Sequence, residues 1–486
     1  MAENSENKET GLLAKEKIED NEGQKLDTQK LEEINDGDDF KGYKTIDKYK
    51  LFGLFFLIGI INHLGTILVM TGGRLLANEL GMGDYLTFYS SASILFAFIT
   101  RIVNSKLFIR VSYSKRIFFL CFWNIAGYFS MFLILLLHDT ALSDYSNLCF
   151  ILSFIPCFFL GSAYAFGESS MIAYLRLFPK TLLGGWSSGT GLSGIIGGLL
   201  NFLSQLNTSF SIKYLYLILT PVGGIYFYLF KLTFTILVSQ ERNMVNGKKN
   251  PTLELSPIDG DTVEPENDED LGQGAAQINN QNNIKEEEKE MEDINKGNKP
   301  MNIENFIKVM KSCGEVIGNL GIIYFFQFFC MNAILVRVCD KVTIGFLHEK
   351  DVTPECSGKG KFEFILLFYQ IGMFISKSLI KIVRMIRPIE VYTVVTFIIN
   401  ILFIIEYYAG FLGWGNYIWI SIIMGFFGGG TYSGGFYTIL NSDKVQDNYK
   451  ELTVNVATLF NDTGTFLSGI FGFLGLKYWF SSNDCF

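Results

Sequence analysis

The sequence predicts an all-α, polytopic membrane protein of about 11 transmembrane helices in two bundles. Three observations carry that prediction. Hydrophobic residues make up 49% of the 486 positions, aromatics 15% and charged residues only 18%, with a mean hydropathy of +0.27. Forty-six Phe and 48 Gly against nine Pro suit packed membrane helices better than a soluble core. Finally, the apolar residues fall into runs of bilayer length, about 20 residues each.

The elements follow in order. Residues 1–50 are polar and charged and read as a disordered cytosolic tail; with about 50 such residues before the first span, no cleavable signal peptide is expected. Spans are expected at 51–71, 86–104, 116–137, 147–166, 183–203 and 214–238, giving an amino-terminal six-helix bundle over 51–238. Residues 239–313 form a linker whose acidic run, Glu286 to Asp293, carries almost no aromatics. Such a segment cannot bury enough apolar surface to order itself. At its end Ile303, Phe306, Ile307 and Met310 recur at helical spacing with Lys308 and Lys311 between them, which predicts a short amphipathic helix on the membrane surface. Spans at 317–338, 362–384, 391–409, 417–436 and 454–478 then give a five-helix bundle over 314–480, and 481–486 is a short tail.

The Lys/Arg bias of short loops orients the chain. With the amino terminus in the cytosol, Lys106, Arg110, Lys115, Arg116, Arg176, Lys180, Lys377, Lys381, Arg384 and Arg387 also fall on that side. The loops at 138–145 and 409–416 carry no Lys or Arg and fall in the lumen, whereas 338–361 holds several cations against the rule. This orientation makes Asn207, in Asn207-Thr208-Ser209, a lumenal glycosylation candidate.

Residues 167–198 place Glu168, Arg176, Lys180, a Phe178-Pro179 break and the unit Trp186-Ser187-Ser188-Gly189-Thr190-Gly191 between apolar runs. Polar side chains at membrane depth must be paired inside protein or face water, so this mixture points to handling of a polar solute. Glu168 either binds a proton or cationic group, or pairs with Arg176 two turns on or with another helix's cation to lock the bundle. Lys377 either supplies a counter-charge to an anionic solute or snorkels to the interface, as Lys381 and Arg384 do. Asp462 lies inside the last span, with proton coupling, solute contact or an inter-bundle hydrogen bond open to it. Mid-span Asn62-His63 adds a group that titrates between lumenal and cytosolic pH, or merely packs. Arg101 and Asn104, at the close of the second span, read as an interfacial anchor.

The glycine-rich stretches 184–198 and 425–435 lack the Lys-Ser/Thr ending of a phosphate-binding loop and predict close helix packing instead. Cys121, Cys149, Cys157, Cys313 and Cys330 are scattered singly, without metal-ligand spacing, and no cofactor or metal is expected. Cys339 and Cys356 share one lumenal loop and can form a disulfide. Three His, no zinc motif and no nucleophile–base pattern argue against an enzyme. The net charge of −8 belongs to the tails and linker, and no nucleic-acid partner is expected.

The run from Gly167-Glu168 through Phe178-Pro179-Lys180 to the Trp186–Gly191 unit closely resembles the signature of the battenin family, lysosomal and vacuolar membrane proteins of the kind altered in juvenile Batten disease. The likeness extends to Tyr324-Phe325, Tyr369-Gln370, Gly372, Phe374, Ser376, Ser378, Gly428-Gly429, Tyr432, Asp462-Thr463 and Leu467-Ser468-Gly469. It implies a fold similar to the major facilitator superfamily, residence in the lysosomal or vacuolar membrane, and roles in glycerophosphodiester clearance, basic amino acid transport or organelle pH. Two departures bear on mechanism: Gln327 stands where members usually carry Glu, and Lys377 where they carry Arg. A third is Asn483 at the position of a prenylatable Cys, with Cys485 second from last, so no such lipid anchor is expected.

The resulting expectation is a secondary transporter of a small polar solute, a glycerophosphodiester-type anion before a basic amino acid. Its pathway would involve Glu168, Lys377, Asp462, Gln327, Tyr369, Gln370, Asn62, His63, Ser188 and Thr190. The bilayer, the solute, protons and sorting adaptors are its expected partners. Glu9-Thr10-Gly11-Leu12-Leu13 and Tyr43-Lys44-Thr45-Ile46 resemble sorting signals for such adaptors. The alternative is a non-transporting scaffold that affects trafficking and lysosomal pH.

Overall fold

A computed structural model describes residues 45–82, 85–206, 211–249, 298–335, 361–379, 382–383 and 389–479. The first sorting-like motif, Tyr43 and Lys44 of the second, Asn207, the acidic run, Cys339, Cys356, Lys381, Arg384, Arg387 and the carboxy-terminal tail fall outside these residues.

Among the described residues the regular structure is helical. The first half holds α1 (Thr45–Thr71), short α2 (Gly73–Glu79), α3 (Leu86–Val103), α4 (Tyr113–Thr140), α5 (Ser146–Leu152), α6 (Phe154–Leu175), α7 (Leu182–Leu206), α8 (Ile212–Leu219) and α9 (Val222–Lys249). The second holds α10 (Ile303–Phe329), α11 (Lys361–Ser378), α12 (Glu390–Ala409), α13 (Trp414–Asn441) and α14 (Asp447–Leu474). Six of the described helical stretches are long and apolar enough to cross a membrane by composition alone. Helices α7, α13 and α14, at 25, 28 and 28 residues, have the length but dilute their apolar residues with Gly, Ser, Thr and Asn.

Helices α1, α3, α4, α6, α7 and α9 pack chiefly on one another, as do α10 to α14, and the two groups meet along α7–α11 and α3–α14. The ends of α3, α6, α9, α11 and α13 and the starts of α1, α4, α7, α10, α12 and α14 share one face, termed here the linker face. On its half of the molecule one apolar core runs through both bundles, from Leu51 and Trp186 to Ile317, Tyr432 and Val454. On the opposite half each bundle has its own core, around Leu68 and Tyr128 in one and around Phe403 and Met424 in the other. Among the described residues the apolar core shared by the bundles lies toward the linker face, while on the opposite half they meet in smaller contacts such as Phe88 on Phe473 and Phe202 on Phe364.

Two glycines explain how α7 serves both bundles. A Cβ at Gly189 would overlap the Phe56 carbonyl of α1, and one at Gly191 would lie 2.8 Å from the Phe374 Cα of α11. Only Gly permits backbones to approach this closely.

The boundaries differ from the sequence expectation at the linker. Helix α9 continues to Lys249, past the boundary at 238, because Gln240, Glu241 and Arg242 are helix formers as well as polar. The expected surface helix is instead the first part of α10, joined to the seventh span through non-helical backbone at Cys313 (φ −138°, ψ 18°). Ile303 and Ile307 are exposed while Val309 and Cys313 are buried, and Phe306 and Met310 pack against the shared core. Its start is set by Asn302, whose side chain accepts from the Asn305 amide.

Candidate functional site at the seam between the bundles

Arg101 lies in the last turn of α3 and is fully buried. The helix continues as a π-helical turn, Asn104–Phe108, a distortion that often marks functional positions. The Arg101 guanidinium binds carboxylates from both bundles. Its Nη2 meets Glu168 Oε2 of α6 at 2.5 Å, and its Nε meets Asp462 Oδ2 of α14 at 2.5 Å. Nη1 donates to the Ala165 carbonyl (3.2 Å) and to Ser169 Oγ (3.0 Å), and the Tyr164 ring stacks at 5.3 Å from Cζ. A planar fork serves two carboxylates at once in a way an ammonium cannot.

Glu168 is the other hub. Its Oε1 accepts from Tyr432 of α13 at 2.6 Å and lies 3.4 Å from His63 Nε2 of α1. His63 is edge-on to Tyr164 and Trp186, and its buried Nδ1 has no partner among the described residues. Beside it, Asn62 donates to the Tyr164 carbonyl (3.2 Å) and accepts from Tyr226 (3.4 Å).

Lys377, at the end of α11, is 3% exposed and does not snorkel. Its Nζ donates to Thr190 Oγ1 at 3.1 Å and lies 4.3 Å from the Tyr432 ring centroid. Among the described residues no carboxylate forms an ion pair with it, whereas Arg101 has two.

The motif Trp186–Gly191 therefore supplies a ring against His63, a hydroxyl to Lys377, and glycines that admit α1 and α11. Ser188 is buried but spends its hydroxyl on the Gly184 carbonyl. Gln370 is buried against Gly194, and buried Tyr369 belongs to the carboxy-terminal bundle's own core. Gln327 donates to the Met424 carbonyl at 3.1 Å and fills the space left by Gly428; it joins α10 to α13 and is no part of the ion group. Of the residues expected along the pathway, Glu168, Asp462, His63, Lys377 and Thr190 converge with Tyr432.

Arg101 corrects the sequence reading. It is the centre of the group and no interfacial anchor. Arg176 does not pair with Glu168; it binds Asn298 and the Asp447 carbonyl. A signal for the seam did exist. Glu451, Asn455 and Asp462 follow one another at spacings of four and seven, a single face of α14, and all three are buried.

That stripe builds a second layer at the linker face. Glu451 Oε1 meets Arg116 Nη1 at 2.5 Å, while its Oε2 accepts from Asn298 (2.8 Å) and Tyr113 (3.2 Å). Asn104 and Asn455 bridge the two layers at 3.4 Å. Arg116 and Tyr113 belong to the amino-terminal bundle and Glu451 to the other, so this layer locks the seam from the linker face.

Among the described residues no group of three His, Cys, Asp or Glu is placed to hold a metal. Cys121, Cys149, Cys157, Cys313 and Cys330 are buried free thiols. The interactions the group makes are those of charge pairing and hydrogen bonding.

The CLN3 protein family matches residues 53–480, nearly the whole membrane part and both ion layers. The chain belongs to this family. Battenin of Dictyostelium discoideum is 25% identical over 395 residues, spanning 78% of this chain and 83% of that protein. Among solved structures, a bacterial homologue of the iron transporter ferroportin in its outward-facing state covers 87% of this CLN3-family chain and 92% of its own, with 11% identity and a TM-score of 0.48. The same homologue soaked with iron gives 10% identity and a TM-score of 0.49, a likeness too remote to bear on mechanism.

Proposed function

We propose that this CLN3-family protein is a secondary transporter of a small polar anion, of glycerophosphodiester type, in the lysosomal or vacuolar membrane. The observation that carries the reading is Lys377, a buried cation at the seam without an ion-paired carboxylate among the described residues. Burying an unpaired charge is costly, and membrane proteins keep such groups where they work. An anionic solute that met Lys377 would have Tyr432 and Thr190 as further contacts. Because Asp462 and Tyr432 belong to the other bundle, rocking one bundle against the other would break the Arg101–Asp462 pair and the Tyr432–Glu168 hydrogen bond. His63, beside Glu168, is placed to take up a proton when that happens. In this reading the linker face is cytosolic and the seam opens alternately to the lumen.

The scaffold reading has one observation in its favour: both buried carboxylates are matched by Arg101, as in a static joint. Uptake by reconstituted vesicles separates the readings. Saturable entry of a labelled glycerophosphodiester, with arginine failing to compete, supports the anion transporter. Arginine entry would replace it with a cation transporter, and no entry of either solute supports the scaffold.

A further inference from the structure

On the linker face a cavity of about 390 Å³ lies between the bundles, lined by residues other than those of the ion group. Arg176 and Lys180, from the α6–α7 connection, form one wall, and Asn441, at the end of α13, with Asp447, Asn448 and Lys450, at the start of α14, forms the other. Among the described residues, several polar atoms of these side chains are shielded from water and have no hydrogen-bond partner. Arg176 spends Nη1 on Asn298 Oδ1 (3.0 Å) and the Asp447 carbonyl (3.3 Å), while Nη2 has no partner. Asn441 donates to the Tyr437 carbonyl, leaving Oδ1 unpartnered, and Asn448 Oδ1 is in the same condition. Polar side chains of both bundles thus line the cavity, Arg176 and Lys180 on one wall and Asn441 and Asn448 on the other.

Charge narrows the ligand. Asp447 is paired with Lys450 at 2.8 Å, which holds its carboxyl below the usual carboxylate range and keeps it ionised. Arg176 and exposed Lys180 remain to meet an anion. Guanidinium and ammonium groups together suit phosphate oxygens, and amide acceptors suit hydroxyl donors. A cavity of this volume holds a small organic ligand and not merely an ion.

We propose that this cavity binds a phosphate ester bearing free hydroxyls, a phosphorylated polyol, and that the ligand ties the two bundles together at the linker face. The phosphate meets Arg176 and Lys180; the hydroxyls donate to Asn441 and Asn448. Contact with both walls favours the state in which they are close, so the ligand stabilises the locked seam by mass action. The proposal does not depend on transport, since binding can be measured on a protein that moves nothing.

The test is calorimetric binding and thermal melting of the full chain in phosphatidylcholine nanodiscs, with sn-glycerol 3-phosphate, inorganic phosphate and glycerol as probes. Glycerol 3-phosphate should saturate the protein and raise its melting temperature, binding about tenfold or more tighter than phosphate or glycerol alone. Lys180→Glu, an exposed position, should weaken it by a further factor of about ten. Asn441→Ala with Asn448→Ala should erase the preference over inorganic phosphate. Lys377→Met should leave this affinity unchanged, which separates the cavity from the central site. A short-chain phosphatidylinositol phosphate, tested in parallel, tells the source: tighter binding than the soluble ester makes the ligand a lipid headgroup, weaker binding a soluble one. Absence of saturable binding for all probes, or binding insensitive to the cavity variants and lost in Lys377→Met, overturns the proposal.

Discussion

Arg101 and Asp462, 361 residues apart in sequence, meet at 2.5 Å inside the seam between the two bundles. The same guanidinium binds Glu168 at 2.5 Å, so one cation holds carboxylates of both bundles in the membrane interior. Removing one member of such a group leaves a buried charge uncompensated, which costs far more than the intact group contributes.

Arg101→Leu should therefore destabilise the protein by about 3–5 kcal/mol, with Arg101→Lys less damaging because it keeps the charge and loses the fork. Thermal melting in detergent checks the order. A melting temperature for Arg101→Leu equal to that of the native chain would contradict the pairing.

At the linker face, Glu451→Gln should loosen the lock while preserving its shape. The Arg116 guanidinium loses its charged partner, though Asn298 and Tyr113 retain an oxygen to bond. Ser105, whose carbonyl accepts from the Met301 amide beneath this layer, is buried in the locked form. A cysteine placed there by Ser105→Cys should react with a soluble maleimide faster, by about tenfold, in the Glu451→Gln background. Equal rates would mean that Glu451 does not hold the seam.

Close approach at Gly189 predicts a steric effect. Gly189→Val must push α1 and α7 apart, at a cost of about 1–3 kcal/mol. Gly53, with nothing within 4 Å of a Cβ built there, is the control, and Gly53→Ala should melt like the native chain. Similar losses for both variants would count against the packing.

Orientation can be tested on sealed organelles. A protease offered from outside should cut within residues 250–297, because the Lys/Arg bias puts the linker face in the cytosol. Cleavage only after permeabilisation would invert the topology.

Helix positions were legible because bilayer thickness imposes a length that local composition reveals. The run from Gly167 to Gly198 declared itself for the same reason, since Glu168, Trp186 and Thr190 are out of place in plain lipid-facing sequence. Arg101 was not legible. Three residues from the end of its span, it fits an interfacial anchor equally well, and only the tertiary arrival of Asp462 and Glu168 distinguishes the two. Lys377 was ambiguous for a related reason: a long aliphatic stem can reach water from depth, and only its bond to Thr190 shows that it does not. The bend at Cys313 escaped notice because no Pro marks it.

The central claim, that Lys377 meets an anionic solute, is tested most directly by uptake of a labelled glycerophosphodiester into vesicles carrying Lys377→Met, Lys377→Arg or the native chain, at equal amounts of folded protein. An anion transporter predicts that Lys377→Met falls to background while Lys377→Arg retains most of the activity, since Arg keeps the charge and improves contacts to oxygen. Native-level uptake by Lys377→Met would contradict the account.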